Sequence, residues 1–298
     1  MHPNVKAKGT IRFPDFFQWG DQTYVMGVIN ATPDSFSGDG LGSEDDPVRT
    51  AVRVGKQFVA DGAHLLDVGG ESARPGAEPV AAEQELRRVT PVIEALADAV
   101  DVPISVDTSK AAVAQSALDA GASIVNDVWG LKRDSQLATV VAEHGAALIL
   151  MHNRSRSEET SANERLGARY VGSEYDVLLG DIRRELEESI ALAHAADIPD
   201  EKIILDPGIG FGKTVEQNRR LLNELGTFKE LGYPLLIGPS RKSFIGYTLD
   251  LPLEDRLEGT AAAVAVGITR GADMVRVHDV RAMARVARMT DALVRGAA

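Results

Sequence analysis

Residues able to do chemistry gather at a few points of the chain, and the densest is Asp206-Pro207-Gly208-Ile209-Gly210-Phe211-Gly212-Lys213-Thr214. The run fails two phosphate-binding templates on spacing. A P-loop needs a glycine where Pro207 stands, and a dinucleotide fingerprint needs one where Lys213 stands. What remains is a loop that lets another molecule approach the backbone, entered through a carboxylate and left through a lysine. A carboxylate in that place accepts two hydrogen bonds from a planar amidine or guanidine edge. Thr214 stands nearer the start of the following helix and is the better helix cap, which favours a ligand for Asp206. Ser240-Arg241-Lys242-Ser243 sets two adjacent cations in an acidic chain and so favours an anion. Arg276 and His278, two residues apart, share one strand face. Single histidines carry less: His2, His64, His144 and His194 read as surface or core residues, His152 stays open, and no histidine pair has metal-ligand spacing.

These residues need elements to position them, and one unit recurs: a helix-like stretch, Gly-Ala, then a short apolar run that stops at a polar residue. Gly62-Ala63 leads to Asp67, Gly121-Ala122 to Asn126-Asp127, Gly145-Ala146 to His152, and Gly271-Ala272 to Arg276 and His278. Glycine suits the left-handed position that ends a helix, and a short β-branched or leucine-rich run suits a strand buried on both faces. Further runs end at Asn30, Asp107, Asp206 and Gly238. Helical patterns fill the intervals over 47–60, 81–97, 109–119, 134–143, 175–195, 215–231, 253–269 and 280–294. The alternation predicts an α/β fold, a (β/α)8 TIM barrel, ahead of an open doubly wound sheet. The polar stops would then meet at the carboxyl ends of the strands, where such barrels bind ligands. Residues 10–22, with Phe13, Phe16, Phe17 and Trp19, are expected to form a short N-terminal β-hairpin plugging the opposite end. The stretch 280–294 carries Met283, Val286, Met289 and Leu293 at helical spacing, a candidate interface.

Composition bounds the rest. A chain of 298 residues without a linker-like break fits one barrel domain over 1–298. A net charge of −12 argues against nucleic-acid and membrane-surface partners, so an anionic substrate must be met locally. The absence of cysteine removes disulfides, thiolate zinc sites and a cysteine nucleophile. No signal-like segment or membrane-length apolar run is visible, which predicts a cytoplasmic protein.

The glycine loop resembles the pterin-binding segment of the dihydropteroate synthase family, and the resemblance extends over nearly the whole chain. Met26-Gly27-Val28-Ile29-Asn30-Ala31-Thr32-Pro33-Asp34-Ser35-Phe36-Ser37 and Asp67-Val68-Gly69-Gly70-Glu71-Ser72-Ala73-Arg74-Pro75-Gly76 are similar to the family's first two signatures. Ser105-Val106-Asp107-Thr108, Asn126-Asp127, Ser240 to Gly246 and Arg276-Val277-His278 follow in the family's order. The resemblance implies a barrel, usually a homodimer, that joins 6-hydroxymethyl-7,8-dihydropterin diphosphate to 4-aminobenzoate and releases diphosphate, with magnesium on the leaving group. It implies that Asp107, Asn126, Asp206 and Lys242 hold the ring, Asp107 and Lys242 as the catalytic pair, with Phe211 flanking it. Asn30, Arg276 and His278 would take the diphosphate and its magnesium, with Asn30 the metal ligand. Ser243, Pro75 and Phe36 would line the aminobenzoate pocket. Arg74, Lys213 and Arg241 complete the expected substrate contacts. After His152 the chain departs from the family pattern with a long polar stretch, Asn153 to Gly172.

The residue types suit that chemistry. A pterin presents donors along its pyrimidine edge, which an anionic Asp206 beside a donor and acceptor such as Asn126 satisfies. If the carbon–oxygen bond breaks ahead of attack, positive charge develops on the ring and a buried carboxylate such as Asp107 stabilises it. Arg276, with its fixed fork, suits the leaving diphosphate. Ser243, at the start of a helix, offers a hydroxyl and a dipole end to the aminobenzoate carboxylate. Two other readings share the barrel and the pterin edge: a methyltetrahydrofolate-dependent methyltransferase and a non-catalytic pterin-binding homologue.

Overall fold

The computed structural model describes residues 16–31, 46–72, 79–156, 159–171 and 174–296. Its strands are β1 (Tyr24–Asn30), β2 (Leu65–Gly69), β3 (Ile104–Asp107), β4 (Ile124–Asp127), β5 (Ala147–Met151), β6 (Thr160–Asn163), β7 (Gly167–Tyr170), β8 (Ile203–Asp206), β9 (Leu236–Ile237) and β10 (Met274–Val277). Eight of them form one parallel sheet in the order β8-β5-β4-β3-β2-β1-β10-β9, and a parallel bridge from Leu205 to Leu235 joins the two ends. Helices separate consecutive sheet strands, so the expected (β/α)8 barrel is the fold. The Gly-Ala turns work as the pattern implied: Gly62, Gly121, Gly145 and Gly271 all take positive φ. The helices Pro47–Ala60 and Val280–Val294 match their predicted limits. The first is fixed by Asp46, whose side chain accepts from Val48 N–H, and by Pro47 in its first turn.

Four stretches differ from expectation. The pattern over 215–231 splits into a helix Val215–Asn223 and a 3-10 segment Leu225–Leu231, with Gly226, a poor helix former, just past the break. The helix expected over 253–269 begins at Leu257, and a separate short helix, Ser243–Leu249, precedes it, ended by Asp250 at φ 56°. Within the polar stretch after β5, β6 and β7 form an antiparallel hairpin, which no apolar alternation announces. Of the expected N-terminal hairpin, residues 16–22 are turns and bends and 10–15 lie outside the described residues.

Alternation along the sheet strands creates two cores. Outward side chains such as Val25, Leu66, Val106, Val125, Leu148, Leu205 and Val275 pack under the helices. Inward ones at the amino-terminal end, Tyr24, Met26, Leu65, Ile124, Ile149, Ile204, Leu236 and Met274, form a second cluster with Phe17, against which Phe16 and Trp19 pack. The aromatic segment therefore plugs the barrel floor. Of the candidate interface residues, Met283 belongs to the buried core, whereas Met289 and Leu293 are exposed. None of the described helices is long and apolar enough to cross a membrane.

Candidate functional site

Two residues further along the same inward faces, the side chains become polar. Register aligns Asp67 with Ser105, Gly69 with Asp107, and Asp107 with Asn126, while Met26 pairs with Arg276 and Met151 with Asp206. The carboxylates and Arg276 thus line the interior above the apolar floor. Arg276 donates from Nε to Asp67 Oδ2 at 2.7 Å and from Nη2 to Asp107 Oδ2 at 2.8 Å. Asn126 Nδ2 donates to the same Asp67 oxygen at 3.1 Å, which fixes the orientation of its amide. Asp67 Oδ1 and Ser105 Oγ are buried without a hydrogen-bond partner among the described residues.

Burial sets the electrostatics. It pushes the Asp107 carboxyl up, against the attraction of Arg276 and with help from the negative Asp67 nearby. Asp206 is likewise raised by burial, opposed by Lys242 and by the Gly208 N–H, which donates to Oδ1 at 2.7 Å. Lys242 is pushed down to about 7 by burial, opposed by Asp206. Burial also opposes the charge on Arg276, but Asp67 and Asp107 outweigh it and hold the guanidinium above its ordinary value. The site therefore concentrates groups whose protonation a bound ligand can reset.

The glycine loop brings Lys242 into this ring. Gly208 and Gly210 have φ of 74° and 83°, and a Cβ on Gly210 would stand 2.4 Å from Lys242 Cδ. The lysine stem runs across that bare backbone. Its ammonium donates to Ile209 O and lies 4.2 Å from the centroid of the Phe211 ring. Asp206 is not the cap of the next helix: Thr214 is, through a capping box with Gln217.

Other expected contacts fall differently. Lys213 is buried and its ammonium donates to Gly208 O, Phe211 O and His152 Nδ1 at 2.9, 3.0 and 3.0 Å. Its donors are used inside the protein, so the structure places it behind the loop. Arg241, at φ 55°, makes a bidentate pair with Asp279 at 2.7 and 2.6 Å, so the anion it meets is the protein's own. Ser243 opens the helix Ser243–Leu249 and is half-buried. His278 is exposed, with its backbone N–H and Nδ1 on Ser240 Oγ at 3.1 and 3.0 Å. Asn30 ends β1, half-buried, opposite Gly69. Phe36, Arg74 and Pro75 lie outside the described residues. Asp67, as readily a structural acceptor as a ligand by residue type and so left out of the expected site, belongs to the ring, and Ser240 and Asp279 were missed by residue-type reasoning. Strand parity would have found Asp67, which shares the inward face of Leu65.

Comparison with known proteins defines the class first. The family described as pterin binding enzyme matches residues 26–278, and the chain belongs to it. Within that class its relatives are dihydropteroate synthases. The one from Clostridium beijerinckii is 48% identical over 280 residues, covering 94% of this chain and 97% of that protein. A crystal structure of the Clostridium difficile dihydropteroate synthase, obtained in the presence of pteroic acid, superposes with a TM-score of 0.85 at 44% identity, covering 94% of this chain and 99% of that one. The Xanthomonas albilineans enzyme with 4-aminobenzoic acid superposes with a TM-score of 0.82 at 39% identity, covering 92% and 93%.

Proposed function

We propose that residues 1–298 act as one barrel domain with dihydropteroate synthase activity, condensing 6-hydroxymethyl-7,8-dihydropterin diphosphate with 4-aminobenzoate and releasing diphosphate. The observation that carries this reading is the inward ring of Asp67, Asp107, Asn126, Asp206 and Arg276, closed by Lys242 over Phe211. Asp206 accepts from the donor edge of the ring, and a site built on such pairings rejects analogues lacking the edge by up to ~10⁴. Asp107 offers negative charge where the pterin becomes electron-poor, while Arg276, bridging Asp67 and Asp107, presents positive charge to the departing diphosphate. Ser243 is assigned to the aminobenzoate.

The donor set bears on magnesium. Among the described residues no group of three acidic or histidine side chains could hold a metal ion. Magnesium bound mainly by substrate phosphates and water needs only one or two protein oxygens, which the Asn30 amide at the end of β1 fits. When bound, the ion neutralises charge on the leaving diphosphate. A cytoplasmic homodimer completes the proposal, with Val266, Met289 and Leu293 exposed on the last two helices as its support.

The test is diphosphate release from purified protein given both substrates, with magnesium or with chelator. Release that requires both substrates and magnesium is expected. A methyltransferase or a non-catalytic binder releases none.

A further inference from the structure

Behind the glycine loop lies a chain of polar side chains, half-buried Glu185 and buried His152 and Lys213, that ring recognition does not use. Glu185, on the helix Leu178–Ala195, approaches His152 Nε2 to 3.1 Å through Oε2. His152 Nδ1 faces Lys213 Nζ at 3.0 Å, and Lys213 spans to the carbonyls of Gly208 and Phe211. The protonation pattern follows from the Glu185 end. Burial opposes its charge, but His152 and Arg154, whose Nε donates at 2.8 Å, outweigh it and take the carboxyl down to about 2. The carboxylate favours the imidazole hydrogen on Nε2, where the pair lies outside hydrogen-bond geometry, and Lys213 donating at the other nitrogen leaves Nδ1 as the acceptor. The three hydrogens these acceptors need come from the ammonium form of Lys213, which burial confines to pH below about 7. Burial first and Lys213 second push His152 down to about 3, so the ring stays neutral.

The backbone of His152 joins the same construction. Its N–H donates to Asp206 O at 2.9 Å, and its carbonyl backs Gly208 so closely that a Cβ there would meet it at 1.9 Å. The segment pinned by Lys213, from Gly208 to Phe211, is the one whose Ile209 carbonyl receives Lys242 and whose Phe211 ring lies beneath it.

We propose that Glu185, His152 and Lys213 form a positioning relay for the pterin loop: carboxylate, imidazole and ammonium in series hold the Gly208 and Phe211 carbonyls. Phe211 and Lys242 thereby meet the ring in one arrangement. The inference rests on the proposed pterin chemistry, and it predicts a loss confined to the pterin side of the reaction.

Steady-state kinetics, calorimetric titration of pteroic acid and melting curves would be compared for the wild type, His152→Ala, His152→Asn and Lys213→Met. Losing the relay should raise KM for the pterin diphosphate by about tenfold or more in His152→Ala and Lys213→Met, leaving KM for aminobenzoate within about twofold. His152→Asn places an amide oxygen near the Nδ1 position and should recover most of the loss at a melting temperature no higher than that of His152→Ala. Equal rises in both KM values, or recovery that merely follows melting temperature, would overturn the relay. Where the alanine variant does not fold, ¹⁵N-histidine spectra of the wild type decide: a neutral Nε2–H tautomer supports the relay and an Nδ1–H tautomer overturns it. Wild-type protein that makes no product and binds no pteroic acid would refute the functional reading instead, with the tautomer still reporting on the relay.

Discussion

The two halves of the barrel interior are built on the same strands and the same inward parity, yet they do opposite things. At the amino-terminal end Ile124, Ile149, Ile204 and Met274 are wholly buried and interlock with Phe17 from below. Two residues on, β4, β8 and β10 carry Asn126, Asp206 and Arg276. The floor gains stability by removing apolar surface from water. The ring above it holds carboxylates raised by burial, an ammonium lowered by it, and buried oxygens without partners among the described residues. A ligand that supplies those partners recovers what folding left unsatisfied. Stability and recognition are thus stacked along one axis rather than mixed.

The largest effect that would break this division is expected in the floor. Ile204→Ala should destabilise the protein by about 2 to 5 kcal/mol in chemical denaturation while leaving both KM values within about twofold. A large KM change would mean that floor and ring are coupled. In the ring, Lys242→Ala should lower turnover by about a hundredfold or more without lowering the melting temperature, because it removes a charge that burial disfavours. Full activity in that variant would remove Lys242 from the chemistry.

A smaller effect concerns pH. Burial pushes Lys213 down to about 7 from 10.5. Between those values the unfolded chain holds a proton that the folded chain has released, so unfolding free energy rises with pH across that window. The rise is at most about 1.4 kcal/mol per pH unit, and it should be absent from Lys213→Met. An identical slope in the two proteins would show that Lys213 keeps its proton throughout.

Much of this division is legible in the chain. The polar residue that stops each apolar run marks the carboxyl end of a strand, and the Gly-Ala turns mark where helices hand over to strands. Asp107, Asn126, Asp206, Lys242, Phe211 and Arg276 therefore come together as expected. For Lys213 and Arg241 residue type and spacing report a charge but not its partner within the fold. The acceptors around Lys213 come from the loop's own backbone and from His152, and Arg241 finds Asp279, 38 positions away. Asp67 looked like one polar stop among several until strand register aligned it with Ser105. The β6–β7 hairpin stayed hidden because Thr160-Ser161-Ala162-Asn163 has no apolar alternation, and its hold comes from distant residues such as Arg256, which donates to Leu166 O at 2.8 Å.

The central claim, that the ring recognises while the floor stabilises, is tested most directly by Asp206→Asn. The amide oxygen can still accept from Gly208 N–H, so the turn should persist, but a donor then faces the donors of the pterin edge. Losing a charge-assisted hydrogen bond is worth roughly 1.5 to 3 kcal/mol, so affinity for pteroic acid in calorimetry should fall by at least about tenfold at an unchanged melting temperature. Preserved affinity with a lowered melting temperature would make Asp206 a structural residue and contradict the account.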